Sequence, residues 1–235
     1  LHSLYLWYRS AELRRHYAGC TALVDGMPLI ALLRLAGFAA DRSQRVTYVD
    51  LIGPLLQMAR DEGIKVFHLG QSADVQALAL QRVRELAPGI DIVGHDGFFN
   101  QSPDSADSLD VIRQINDNDT GLLLVGFGTP RQEAWLHAHR ERIGAPAVYA
   151  CGACFEYVAG EVRTPPRWMG RMGLEWAFRL FGNPVRFAFR YAVEPFLLGA
   201  ILVRNALRDG VRSGPRDEPP PSLAGAGGRP EPDER

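Results

Sequence analysis

The chain has 235 residues, 46% of them hydrophobic, and a formal net charge of −1. That is enough apolar sequence for a sizeable core, yet no uncharged apolar run reaches the roughly 18 residues a transmembrane helix needs. The near-neutral total hides an asymmetry: over residues 163–212 nine arginines face only Glu175, Glu194 and Asp209, a block suited to anionic lipid, phosphate or nucleic acid.

The chain opens at Leu1, not Met, directly in apolar-periodic sequence and without a signal peptide, which reads as a missing start. Residues 2–17 place Leu4, Trp7, Tyr8 and Ala11 at helical spacing and predict an amphipathic helix. Residues 21–24 read as a short strand ending at Asp25 and Gly26. A helix follows from Met27 to Ala36, with Gly37 as its stop. An Asp between a strand end and a helix start is where α/β proteins put functional groups, and equally where they put a cap. Asp50 stands in a similar place, ahead of a helix expected to begin after Pro54, and the cap reading is the stronger one there.

Residues 64–69 read as a clean strand with Gly70 at its end, and a helix is expected over 73–86. A strand over 90–93 leads to His95, a polar loop follows, and a helix is expected over 108–116. The run 122–125 reads as a buried strand. It turns on Gly126 and Gly128 into a helix over 131–142 that carries Gln132 and Glu133 in its first turn. Pro130 suits the first helical turn because its missing N–H would be unpaired there anyway, and Thr129 suits the N-cap. A helix N-terminus reached through glycines offers free N–H groups to an anion such as a diphosphate, although a plain strand–helix turn has the same pattern. A last strand over 146–150 ends at Cys151 and Gly152.

Strands alternating with helices predict an α/β fold: a mostly parallel sheet sandwiched by helices, with ligands at the carboxyl ends of the strands. Those ends carry Asp25, Gly70, His95, Gly126, Gly128 and Cys151. Cys151 and Cys154 have CxxC spacing. Without a second pair they read as small residues at a buried strand end, with redox or metal use as the alternative.

After Gly160 arginine alternates with Trp, Phe, Met and Leu, in helices expected to break at 182–184 and at Pro195. A following helix is too short and charged to span a bilayer but suited to lie on one. No nucleic-acid motif of the RNP, KH or helix-turn-helix type occurs, so nucleic acid is not an expected partner.

The segments at 25–30, 45–51, 65–70, 92–99, 123–135, 152–160 and 163–184 together resemble the WecG/TagA/CpsF family of bacterial glycosyltransferases. GFGTPRQEAW and PPRWMGRMGLEWAFRL are the most specific of them. The DGMPLI and TYVDL forms are most similar to the branch that builds secreted polysaccharides. The resemblance implies a Rossmann-like core over residues 1–162, an Arg-rich, membrane-associating helical appendage over 163–212, and leaves a tail over 213–235 whose composition predicts disorder.

It further implies an inverting transfer, without metal or cofactor, from a UDP-sugar donor to a polyprenyl-diphosphate-linked saccharide acceptor. The enzyme would be peripheral on the cytoplasmic face of an anionic membrane. Carried over by position, Asp25 matches the family's catalytic base, Gln132 a donor-site residue, and Arg179 and Arg186 appendage arginines that reach the active site. At the next such position this chain has Phe189, with Arg190 one residue on. Gly26, Asp50, Gly70, His95, Gly126, Gly128, Pro130 and Glu133 complete the expected binding set. Glu156 stands where the family usually has Asp, and a Thr-x-Asn motif is expected just ahead of the segment matching Leu1. A non-catalytic nucleotide-sugar or membrane-binding module is the competing reading. An NAD(P)-dependent enzyme is a weaker one, since GxGxxG is missing. Homo-oligomerisation is left open.

Overall fold

A computed structural model describes residues 1–209 except 36, 165, 167, 168 and 170–173; the side chains of residues 49, 175, 186 and 205–209 also lie outside the description. The tail expected to be disordered falls outside it, as do Arg167, Trp168 and Arg171 of the appendage. The chain divides into two compact units, Leu1–Leu198 and Gly199–Arg235, and residues 199–209 of the second are helical.

Four short apolar runs form the sheet: β1 (Val66–Gly70), β2 (Ile92–His95), β3 (Leu122–Gly126) and β4 (Ala147–Ala150). They lie in the order β2-β1-β3-β4, and every pairing is parallel. Parallel neighbours require crossovers, supplied by α5 (Ala73–Leu86), α6 (Ala106–Asp117) and α7 (Arg131–His139). The side-chain alternation of β1 and β3 feeds two cores. Val66, Leu122 and Leu124 pack on α4 (Tyr48–Asp61), α5 and α8 (Cys154–Ala159). Phe67, Leu69, Leu123 and Val125 pack on α6 and α7 through Ile112, Ile115 and Trp135. Each fully buried leucine contributes about 1.5–3 kcal/mol, so covering both faces is what makes such short strands stable.

The expected α/β sandwich is therefore present, and its sheet is wholly parallel. The helix over 73–86 has the expected ends because Gln76, Ala79, Leu80 and Val83 make one buried stripe after Ser72. Ser105 caps α6 by accepting from the Ser108 amide at 3.1 Å.

Other elements differ from expectation. The helix over 2–17 breaks at Ser10 into α1 (His2–Arg9) and α2 (Ala11–His16); Ser10 is extended there, and its hydroxyl accepts from Leu13 N at 3.1 Å. Residues 21–24 form no strand. Only an isolated parallel bridge joins Val24 to Arg45, so the ladder that would define a strand has no partner edge. Asp50 does not precede its helix: α4 begins at Tyr48, after Thr47, and carries Pro54 inside. Burial of Ile52, Leu56 and Ala59 on the sheet outweighs the preference of proline for a first turn. In the appendage α9 (Glu175–Gly182) and α10 (Pro184–Ala192) break at Asn183 as expected. The next helix, α11 (Glu194–Asp209), starts before Pro195, which it takes into its first turn.

Candidate active site

The chain passes from β1 outward to β2 and then back across to β3 on the other side of β1. The carboxyl ends of β1 and β3 are thus a topological switch point, where the flanking loops diverge and open a crevice. Gly70 and Gly126 are register partners there. A Cβ on Gly70 would stand 2.9 Å from the Gly126 backbone, and one on Gly126 would stand 2.8 Å from the Gly152 carbonyl oxygen. Gly97 approaches the Gly70 Cα, at 3.2 Å from its own would-be Cβ. Backbones this close leave a ledge of glycines across the ends of β1 and β3 to the loop after β4. Gly126→Ala is expected to lower unfolding stability by about 1–3 kcal/mol, measured by denaturant titration, because backbone has to move.

Gln71 lies over this ledge. It is 8% exposed, holds a left-handed φ of 60°, and donates from Nε2 to the Gly152 carbonyl at 3.1 Å. No sequence signal pointed to it.

The turn after β3 is stitched inward. Gln132 is 2% exposed; its Oε1 accepts from the Gly128 amide at 3.1 Å, and its Nε2 donates to Glu133 Oε1 at 3.0 Å. The same Glu133 oxygen accepts from the Thr129 hydroxyl at 2.9 Å and from the Tyr17 hydroxyl at 3.1 Å. Burial, then the Glu133 carboxylate, pushes the Tyr17 phenol up to about 12, so it remains a donor. Gly128, Gln132 and Glu133 thus shape the turn from within. Pro130, joined to Thr129 by a cis peptide, is the N-cap of α7 instead of its first helical residue, and no side chain caps that end.

Asp25 is exposed, just ahead of α3 (Met27–Leu35), and Gly26 at φ +92° turns the chain into that helix. Among the described residues nothing hydrogen-bonds its carboxylate, so the capping alternative is not realised. Its field reaches the core and the appendage alike. Burial first, and then Asp25, raises the phenol of Tyr48; for Tyr149 burial and then Cys151 and Cys154 come ahead of Asp25. Arg179 of α9 lies 5.6 Å above the Tyr157 ring of α8. Burial lowers its guanidinium, but Tyr157, Tyr191 and Asp25 more than offset that and hold it above its ordinary value. Of the three residues matched to catalysis, Asp25 and Arg179 are thus within electrostatic reach of each other.

Arg190 lies in the last turn of α10. His2 Nδ1 pairs with both Glu194 carboxylate oxygens at 2.8 and 2.9 Å, tying α1 to the first turn of α11. Arg186 lies on α10, and its side chain falls outside the description.

Asp50 is occupied locally: Thr47 Oγ1 donates to it at 2.6 Å and Arg45 stands 3.6 Å away. His95 ends β2 at the far side of the sheet from β4, about 14 Å away at the usual strand spacing of about 4.8 Å. It lines a cavity of about 390 Å³ with Phe99, Asp107, Asp110 and Arg113. His95 and Asp25 share the carboxyl edge without sharing a cluster. Cys151 and Cys154 are both buried, and burial pushes both thiols up, Cys154 to about 12, as befits inert core residues. Sequence reasoning missed the tyrosines 48, 149, 157 and 191; a hydroxyl in the otherwise apolar strand 147–150 was the one available hint.

The model of the glycosyl transferase WecG/TagA/CpsF family matches residues 1–211. The chain belongs to the WecG/TagA/CpsF glycosyltransferase family. Two curated relatives of this family member are similar to it over most of its length. An N-acetylglucosaminyldiphosphoundecaprenol N-acetyl-beta-D-mannosaminyltransferase from Bacillus spizizenii is 27% identical over 180 residues, 76% of this chain and 67% of the relative. One of the same name from Bacillus subtilis is 28% identical over 177 residues, 75% of this chain and 66% of the relative. The chain thus spans about two thirds of the length of these family members.

Proposed function

We infer that this chain is an inverting glycosyltransferase that moves a sugar from a UDP-sugar to a polyprenyl-diphosphate-linked saccharide during assembly of a cell-surface polysaccharide. The observation that carries the reading is that the Arg179 guanidinium, stacked over Tyr157, lies within electrostatic reach of the exposed Asp25 carboxylate. Transfer needs a base for the acceptor hydroxyl and a counter-charge for the leaving diphosphate. Asp25 takes the hydroxyl proton as its oxygen attacks the anomeric carbon. The bond to the diphosphate breaks, and Arg179, with Arg190 and Arg186 from α10, balances the negative charge that develops there. The rim of the ledge, at Gly97 and Gly152 beside the Gln71 side chain that covers its middle, lets the donor lie close to backbone, with His95 toward the far end of the edge. The relatives' names support the acceptor class, because each specifies a diphosphoundecaprenol-linked sugar.

Assay of the protein with labelled UDP-sugars and a polyprenyl-diphosphate-linked N-acetylglucosamine tests this. Transfer with inverted anomeric configuration is expected from one of them, and no transfer from any UDP-sugar overturns the reading.

Attachment to an anionic membrane surface fits the same helices. Phe181 on α9 and Val185 and Phe189 on α10 are 83%, 95% and 55% exposed. Exposed apolar side chains on Arg-rich helices suit a lipid surface. Among the described residues no helix is long and apolar enough to cross a membrane. Replacing Phe181 and Val185 by Glu is expected to weaken binding to anionic vesicles at least tenfold in co-sedimentation, since each buried apolar side chain contributes about 1.5–3 kcal/mol.

A further inference from the structure

The glycine ledge ends at a phenol. Gly70 abuts Gly126, Gly126 abuts the Gly152 carbonyl, and a Cβ on Gly152 would meet the Tyr48 hydroxyl at 3.9 Å. Tyr48 opens α4, and its ring packs against the core formed by α4, α5 and α8, edge-on to Tyr149 with ring centroids 6.2 Å apart. The ring is therefore held, and only its tip faces the site. Among the described residues no hydrogen bond reaches that hydroxyl. A tyrosine with its body in a core ordinarily finds a polar partner for its tip. Here the available partner is whatever lies on the ledge.

We propose that the Tyr48 hydroxyl donates a hydrogen bond to the diphosphate oxygen that leaves the anomeric carbon, as a neutral partner for the developing charge. The inference rests on the reading of the site as a UDP-sugar transferase. In the reaction the acceptor oxygen bonds to the anomeric carbon and its proton goes to Asp25. The electron pair of the broken carbon–oxygen bond goes to the diphosphate oxygen, and Tyr48 keeps its own proton throughout. Burial and then the Asp25 carboxylate raise the phenol, so it is a donor and not a phenolate at neutral pH. The attacking hydroxyl has its acceptor in Asp25 and needs no second donor, whereas the leaving oxygen gains charge and does.

Tyr48→Phe keeps the ring and removes only the hydroxyl. In the full-length protein it is expected to lower kcat by about 10- to 100-fold, the effect of removing one donor to a developing oxyanion. KM for the UDP-sugar, the affinity for UDP by calorimetry and the melting temperature stay close to those of the unsubstituted protein. An unchanged kcat overturns the proposal. So does a lower melting temperature with loss of UDP affinity in proportion to rate, which marks a structural role. A rise in KM at constant kcat also overturns it, by assigning the hydroxyl to ground-state binding. If the unsubstituted protein transfers no sugar from any UDP-sugar, the underlying reading fails and the proposal with it. Transfer by that protein alongside an unaffected variant leaves the reading standing and removes Tyr48.

Discussion

Asp25→Asn is expected to remove nearly all sugar transfer while the protein folds as before. The amide has the shape of the carboxylate but cannot take the acceptor's proton, and a positioned general base is worth about 10²–10⁴ in rate, so kcat falls on the order of a thousandfold. Folding is spared because Asp25 is exposed and holds no hydrogen bond to the fold among the described residues. The guanidinium of Arg179 stays charged even without the Asp25 field, since burial alone does not bring an arginine near neutral pH. Steady-state kinetics with the preferred UDP-sugar, paired with a thermal melt, reads both halves. Turnover within twofold of the unsubstituted protein removes Asp25 from the role of base.

Arg179→Ala is expected to lower kcat about a hundredfold, the order found when one preorganised partner of developing charge is deleted. The effect belongs in kcat more than in KM, because the leaving diphosphate carries more charge in the transition state than in the bound donor. Arg179 also lies on Tyr157, so the alanine variant loses packing as well as charge. Arg179→Lys separates the two: it keeps the positive charge but lacks the planar fork and the stacking, and should recover part of the rate. If the alanine variant turns over normally, or if alanine and lysine variants lose rate only in proportion to lost stability, the counter-charge role is refuted.

Much of the fold was legible in the residue pattern. The run 122–125 reads as a buried strand because its apolar character is continuous, and a strand covered on both faces has no polar side; 64–69 reads as a strand although Lys65 and His68 interrupt it. The helix over 73–86 was legible to its last residue because its buried stripe and its boundaries are both local. Elements that depend on distant partners were not. Residues 21–24 have strand-like composition, yet they meet only Arg45 and form a single bridge. Pro54 looks like a helix start, and α4 nevertheless begins at Tyr48, because the sheet buries Ile52.

The candidate site divides along the same line. The sequence by itself determined that the glycines at 70 and 126 stand at strand ends, because turn chemistry and alternation are local, whereas the strand expected ahead of Asp25 is reduced to a single bridge. The family motifs marked Arg179 as their partner. Only the tertiary structure decided that Gln132 and Glu133 turn inward to hold their loop, that Asp50 is occupied by Thr47, and that Arg179 stacks over Tyr157. A side chain's periodicity says which face of its own element it lies on. What stands opposite that face is set by strand order and helix packing between residues more than a hundred positions apart, and no local pattern records it.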